Sequence, residues 1–123
     1  MKITTFNPQI VTIESEAVVE LFEALGFERR HTKEDNGVLE DKGIRMKDEN
    51  GFYVDISQTD VLPDKDMTAI RMNVDDFDEA YNFLTGKGFR NLYGKHTADT
   101  KSSKSAMMIS PSGFAINLVQ HIK

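Results

Sequence analysis

The sequence predicts an α+β fold made of two tandem βαβββ modules, and three observations carry that prediction. Gly51-Phe52 and Gly113-Phe114 lie 62 residues apart (113 − 51), and the same shift, without a gap, carries Gln58 onto Gln120 and Gly26-Phe27 onto Gly88-Phe89. Within each copy the hydrophobic period changes from strand-like to helical and back. A module of about 60 residues is marginal on its own, which is a physical reason for two to share one core.

In chain order, Asn7 to Ile13 alternates as a strand, with β-branched Ile10 and Val11. Val18, Leu21, Phe22 and Leu25 then fall at i, i+3, i+4 and i+7, an apolar helical stripe with Ser15 as N-cap and Gly26 as C-cap. Phe27 to Lys33 is extended in character, Asp35-Asn36-Gly37 signals a tight turn, and Gly43 to Lys47 and Phe52 to Ser57 complete the first module. Thr59 to Asp66, with Pro63 and three aspartates, has no period and reads as a linker.

The copy opens with a strand from Ala69 to Val74. Asp75-Asp76-Phe77-Asp78 then starts a helix whose acidic residues suit its positive dipole end, with Ala80, Phe83 and Leu84 as the buried stripe. Phe89 to Tyr93 is the next strand, His96 to Ser105 reads as a mobile hydrophilic loop, and Met107 to Ile109 and Phe114 to Gln120 close the copy. The organisation is thus one domain over 1–123: module one at about 1–58, a linker at 59–66 and module two at about 67–123.

Composition narrows the function. The formal net charge of −5 argues against non-specific nucleic-acid binding, which needs a cationic surface. The absence of cysteine removes disulfides, thiolate catalysis and Cys-based zinc sites. The opening Met-Lys-Ile-Thr-Thr-Phe-Asn-Pro fits neither a signal peptide nor a membrane span, so a cytoplasmic protein without membrane association is the expectation.

The order and duplication of these elements, above all Phe22-Glu23-Ala24-Leu25-Gly26-Phe27 and Ser110-Pro111-Ser112-Gly113-Phe114-Ala115-Ile116-Asn117-Leu118, resemble the vicinal oxygen chelate superfamily. That family includes glyoxalase I, bleomycin-resistance proteins and extradiol dioxygenases. The resemblance covers nearly the whole chain. It implies half-barrels with curled mixed sheets and outer helices, paired around a cavity, and a homodimer.

Strand parity sorts the last strands in the same sense. Phe52, Val54 and Ile56, with Phe114, Ile116 and Leu118, are expected under the helices, while Tyr53, Asp55 and Ser57, with Ala115, Asn117 and Val119, face the other way. Metal-dependent members carry ligands on the first and last strand of each module. Residue by residue these positions fall on Asn7, Ala69, Asp55 and Asn117, with the spacing of 48 repeated (55 − 7 and 117 − 69). Ala69 has no ligand atom and the asparagines offer neutral amides, so no metal and no other cofactor is expected.

The ligand-facing candidates are Asn7, Gln9, Tyr53, Asp55, Arg71, Asn73, Met107 and Asn117. Arg71 has two readings, a bidentate clamp for a ligand carboxylate or phosphate, or an internal ion pair with Asp55 or another acid. Asn7, Gln9 and Asn73 either read polar ligand groups or, as strand residues near an end, are solvated or hydrogen-bonded to loops. His31 is either a general base partnered by Asp55 or an exposed strand histidine, while His96 and His121 are poorly placed for chemistry. Phe6 and Tyr93 are core or pocket-lining residues, and Met72 by parity belongs under the helix; Lys95, Lys101 and Lys104 are a solvated surface or a lid.

Two functions follow. The first is a metal-independent small-molecule-binding protein that sequesters a drug or toxic metabolite, with the acidic overall charge suiting a cationic compound. The second is an enzyme, a lactoylglutathione-lyase-like lyase or isomerase with a nonstandard site around Asp55 and His31.

Overall fold

The computed structural model describes residues 1–30, 43–59, 65–99 and 103–121. Two compact units emerge, one formed by Asn7–Thr68 and the other by Ala69–Lys123 with Met1–Phe6. They are called the N-terminal and C-terminal units below.

The N-terminal unit takes the later part of β1 (Ile3–Thr12), then α1 (Ser15–Ala24), β2 (Glu28–Arg30), β3 (Gly43–Lys47) and β4 (Tyr53–Gln58), in the spatial order β2-β3-β4-β1. β1 runs parallel to β4, with Gln9 opposite Asp55, and the other neighbours are antiparallel. A parallel pair needs a long crossover, and here α1 lies in it. The C-terminal unit repeats the plan. β5 (Met67–Val74), which enters this unit at Ala69, is parallel to β9 (Ala115–His121), and α2 (Phe77–Gly86) and β6 (Arg90–Asn91) follow β5 in the chain. β8 (Ser103–Ile109) is antiparallel to β9 and to β6, and the short β7 (Ala98–Asp99) pairs with β8 as an addition to the pattern.

Each unit buries the apolar face of its sheet under its helix. Val19, Met46, Val54 and Ile56 form one core, with Val18, Phe22, Phe27 and Ile44 packed against it. Met72, Val74, Phe77, Ala80, Leu84, Ala106, Met108, Ile116 and Leu118 form the other. The repeat of 62 extends to these side chains, since Met46 and Met108 are both fully buried.

Helix ends show the duplication at atomic detail. Gly26 and Gly88 adopt φ of 107° and 98°. Gly26 N–H donates to the Glu23 carbonyl and Phe27 N–H to that of Phe22; Gly88 and Phe89 do the same to Thr85 and Leu84. Both are Schellman closures, which satisfy carbonyls left over at a helix C-terminus. Phe22 and Phe27 seal the first edge-on at 5.4 Å.

Several expectations are corrected. Ser15 is the first helical residue rather than the N-cap, and the flanking Glu14 makes no side-chain capping bond. The buried stripe of α1 is centred on Val19, leaving Leu21 and Leu25 exposed, because apolar residues on several sides of this helix made the sheet contact decide its facing. Phe83 is likewise exposed, with Lys87 Nζ 5.5 Å from its ring centroid. Phe52 and Phe114 are also exposed, since both sit in the turn before their strand, where ladder parity no longer holds. Residues 103–105, expected in a loop, belong to β8, because polar side chains do not prevent backbone pairing with His121, Gln120 and Val119.

Candidate functional site

Strand pairing decides which polar side chains share a face, because residues two apart along a strand and directly opposite across a ladder point the same way. In the N-terminal unit, Gln9 is opposite Asp55, Arg45 is opposite Asp55 on its other side, and Lys47 is opposite Tyr53. The face turned away from α1 therefore gathers Asn7, Gln9, Arg45, Lys47, Tyr53, Asp55 and Ser57.

Asp55 is the hub. Arg45 grips it in bidentate fashion, Nε to Oδ1 at 2.9 Å and Nη2 to Oδ2 at 3.1 Å, and Asn7 Nδ2 donates to Oδ2 at 2.8 Å. The Asp55 carboxylate is nearly buried, its side chain 6% exposed, whereas that of Arg45 is 33% exposed. The hydrogen bond to Asp55 chiefly, with the charges of Asp55 and Tyr53, holds the Arg45 guanidinium above its ordinary pKa, against the opposing effect of burial. Gln9 is fully enclosed and donates from Nε2 to Ser57 Oγ at 2.7 Å. The half-buried Tyr53 ring has Arg45 Cζ and Lys47 Nζ each 5.4 Å from its centroid.

The C-terminal unit has the equivalent face with different chemistry. Arg71 is opposite Asn117, and Met107 is opposite Asn117 on the other side. Arg71 Nε donates to Asn73 Oδ1 at 2.9 Å, so these two, a strand period apart, are joined. Asn73 and Met107 are buried, while Arg71 and Asn117 are half-buried. Shifted by 62 residues, the Arg45 and Asp55 pair becomes Met107 and Asn117: the charged pair of one unit is a neutral pair in the other.

The eight sequence candidates therefore fall into two sets, Asn7, Gln9, Tyr53 and Asp55 in one unit and Arg71, Asn73, Met107 and Asn117 in the other. Asn7, Gln9 and Asn73 are buried rather than solvated. Met72 joins the core under α2, while Phe6 and Tyr93 are exposed. Lys104 is held at Asp78 and over the Phe77 ring rather than poised as a lid. His31, Lys101 and the turn at residues 35–37 lie outside the described residues, and His96 is exposed. Arg45 was missed. The signal was present, because the repeat carries Met107, already assigned to the ligand-facing side, back onto Arg45.

The four positions that would hold a divalent ion fit it poorly. Ala69 has no donor, Asn7 spends its amide nitrogen on Asp55, and both Asp55 oxygens already accept from a guanidinium that would repel a cation. Among the described residues no group of three or more His, Cys, Asp or Glu is arranged for metal binding. No helix among them is long and apolar enough to cross a membrane.

No protein-family model and no curated protein matches the sequence. Solved structures do match the backbone. A glyoxalase/bleomycin resistance protein/dioxygenase superfamily member from Vibrio splendidus 12B01 aligns over 94% of this chain and 97% of its own, with a TM-score of 0.60 and 15% identity. A methylmalonyl-CoA epimerase of Streptomyces coelicolor, solved with 2-nitronate-propionyl-CoA, aligns over 97% and 98%, with a TM-score of 0.64 and 20% identity. The chain has the vicinal oxygen chelate fold. Glyoxalase I from Zea mays shares that fold at a TM-score of 0.65 and 14% identity, and there 98% of this chain spans 44% of the longer protein. Members of the vicinal oxygen chelate fold are enzymes or binding proteins, so the fold leaves the choice to the side chains.

Proposed function

We propose that this chain is a metal-independent small-molecule-binding protein of the vicinal oxygen chelate fold, acting in the cytoplasm to sequester a drug or toxic metabolite. The observation that carries the reading is the state of Asp55, the one carboxylate among the four ligand-equivalent positions, which is bidentately held by Arg45 and bonded by Asn7. A carboxylate so engaged is a poor metal ligand and a poor general base, but it fixes Arg45 and so preorganises a polar surface.

Asn7, Gln9, Tyr53 and Asp55, with Arg45 added, are proposed to contact or orient the ligand in the N-terminal unit; Arg71, Asn73, Met107 and Asn117 are the corresponding set of the C-terminal unit. A homodimer is part of the proposal, and a sedimentation mass equal to one chain would contradict it.

The deciding experiment is elemental analysis of untagged protein incubated with Zn²⁺, Ni²⁺, Mn²⁺ and Fe²⁺ and then desalted. Near-zero metal with no shift in melting temperature is expected. Stoichiometric metal would overturn the reading and make a lyase or isomerase the leading interpretation.

A further inference from the structure

The polar face of the N-terminal unit holds more cationic donors than it uses. Two of the five guanidinium N–H groups of Arg45 go to Asp55. Lys47 Nζ contacts the Tyr53 ring and forms no ion pair with any described carboxylate, although Glu28 is its register partner on β2. The Tyr53 hydroxyl has no hydrogen-bond partner among the described residues. Arg45, Lys47 and Asp55 together carry one net positive charge, on a chain whose net charge is −5. Local charge here opposes the global charge.

We infer that Arg45, Lys47 and the Tyr53 hydroxyl form a binding site for the oxyanion group, carboxylate or phosphate, of a small organic anion. The inference rests on the small-molecule reading above and replaces the cationic ligand that overall charge suggested. Asp55 and Asn7 act as positioning residues: they hold the inner edge of the guanidinium so that its outer edge meets the ligand without ordering cost. Lys47 adds a point charge, and the Tyr53 ring restrains both cations near its face. The duplicated position carries Met107 in place of Arg45 and the Asp55 position carries Asn117, so the repeat did not preserve this anion site in the C-terminal unit.

The test is titration of isotope-labelled protein at fixed ionic strength with inorganic phosphate, with benzoate and with benzylammonium, followed through the backbone amide resonances. Phosphate or benzoate should shift residues 43–47 and 53–58 saturably, and the tighter of the two identifies the oxyanion. Lys47→Gln should weaken that binding about tenfold, the share of one charge-assisted hydrogen bond, while Lys47→Arg retains it. Lys47 contributes little to the core, so both variants should fold. Unsaturable shifts, or equal affinity in Lys47→Gln, overturn the site. Preferential benzylammonium binding on these strands overturns the anion assignment yet leaves the small-molecule reading standing, whereas stoichiometric metal uptake removes that reading itself.

Discussion

The side-chain oxygen of Gln58 accepts both the backbone N–H of Ser15, at 3.1 Å, and its hydroxyl, at 2.7 Å. Gln120 does the same for Phe77, accepting its N–H at 2.7 Å. Each last strand thus caps the helix of its own unit, satisfying an N–H that a helix start leaves without a partner. Gln58→Ala and Gln120→Ala should each cost about 1 kcal/mol, the usual weight of a lost N-cap, read as a lower midpoint in urea at unchanged slope. An unchanged midpoint would mean that water replaces the carboxamide at no cost.

Removing the guanidinium from the pair at Asp55 should be far more damaging than removing both charges. Arg45→Met takes the bidentate guanidinium away from a nearly buried carboxylate and should cost about 2 to 4 kcal/mol. The double variant Arg45→Met with Asp55→Asn imposes the neutral pair that Met107 and Asn117 already form in the other unit, and should recover more than half of that loss. Additive losses in the double-mutant cycle would contradict coupling between the two.

The two helix-ending glycines should differ in tolerance. Alanine at Gly26 meets no atom within 4 Å and pays only for its positive φ, about 1 kcal/mol. At Gly88 the new methyl would also lie 2.9 Å from Pro111 Cγ, so Gly88→Ala should lower the melting temperature distinctly further than Gly26→Ala. Equal shifts would show that the proline ring moves aside freely.

Met46 and Met108, equivalent in the repeat and each fully buried, should respond alike to truncation. Met46→Ala and Met108→Ala are expected to cost about 2 to 5 kcal/mol each, measured by chemical denaturation. A small loss at either would indicate that its core collapses into the cavity.

Much of this fold was legible because the duplication is written in glycines and turn residues that serve the same backbone geometry twice. Gly51 and Gly113, both at positive φ, close turns in which Asp48 and Ser110 accept the N–H of Phe52 and Phe114 respectively. Strand parity also found Asp55, Asn117 and Arg71, since a period of two follows from the pleat alone. Arg45 escaped because its importance lies in register, which pairs it with Asp55, and register depends on turns between strands rather than on its own neighbours. Ser15 misled because a distant glutamine performs the capping that local residues usually perform. Leu21, Leu25 and Phe83 misled because apolar character permits burial without requiring it.

Met1–Phe6, which include the first four residues of β1, belong with the C-terminal unit, and Lys2 and Asp75 are joined there by two hydrogen bonds. During synthesis this segment emerges before its partners, which follow some 70 residues later, 75 − 2 along the chain. At ribosomal speed that is a wait of roughly 4 to 15 s. The N-terminal unit can therefore assemble while the residues before it remain unpaired, and the nascent chain carries an open strand segment, with Ile3 and Phe6 on it, until the C-terminal unit's later residues arrive. In a crowded cell that interval, rather than any weakness of the finished protein, is when the chain is most open to pairing with the wrong neighbour.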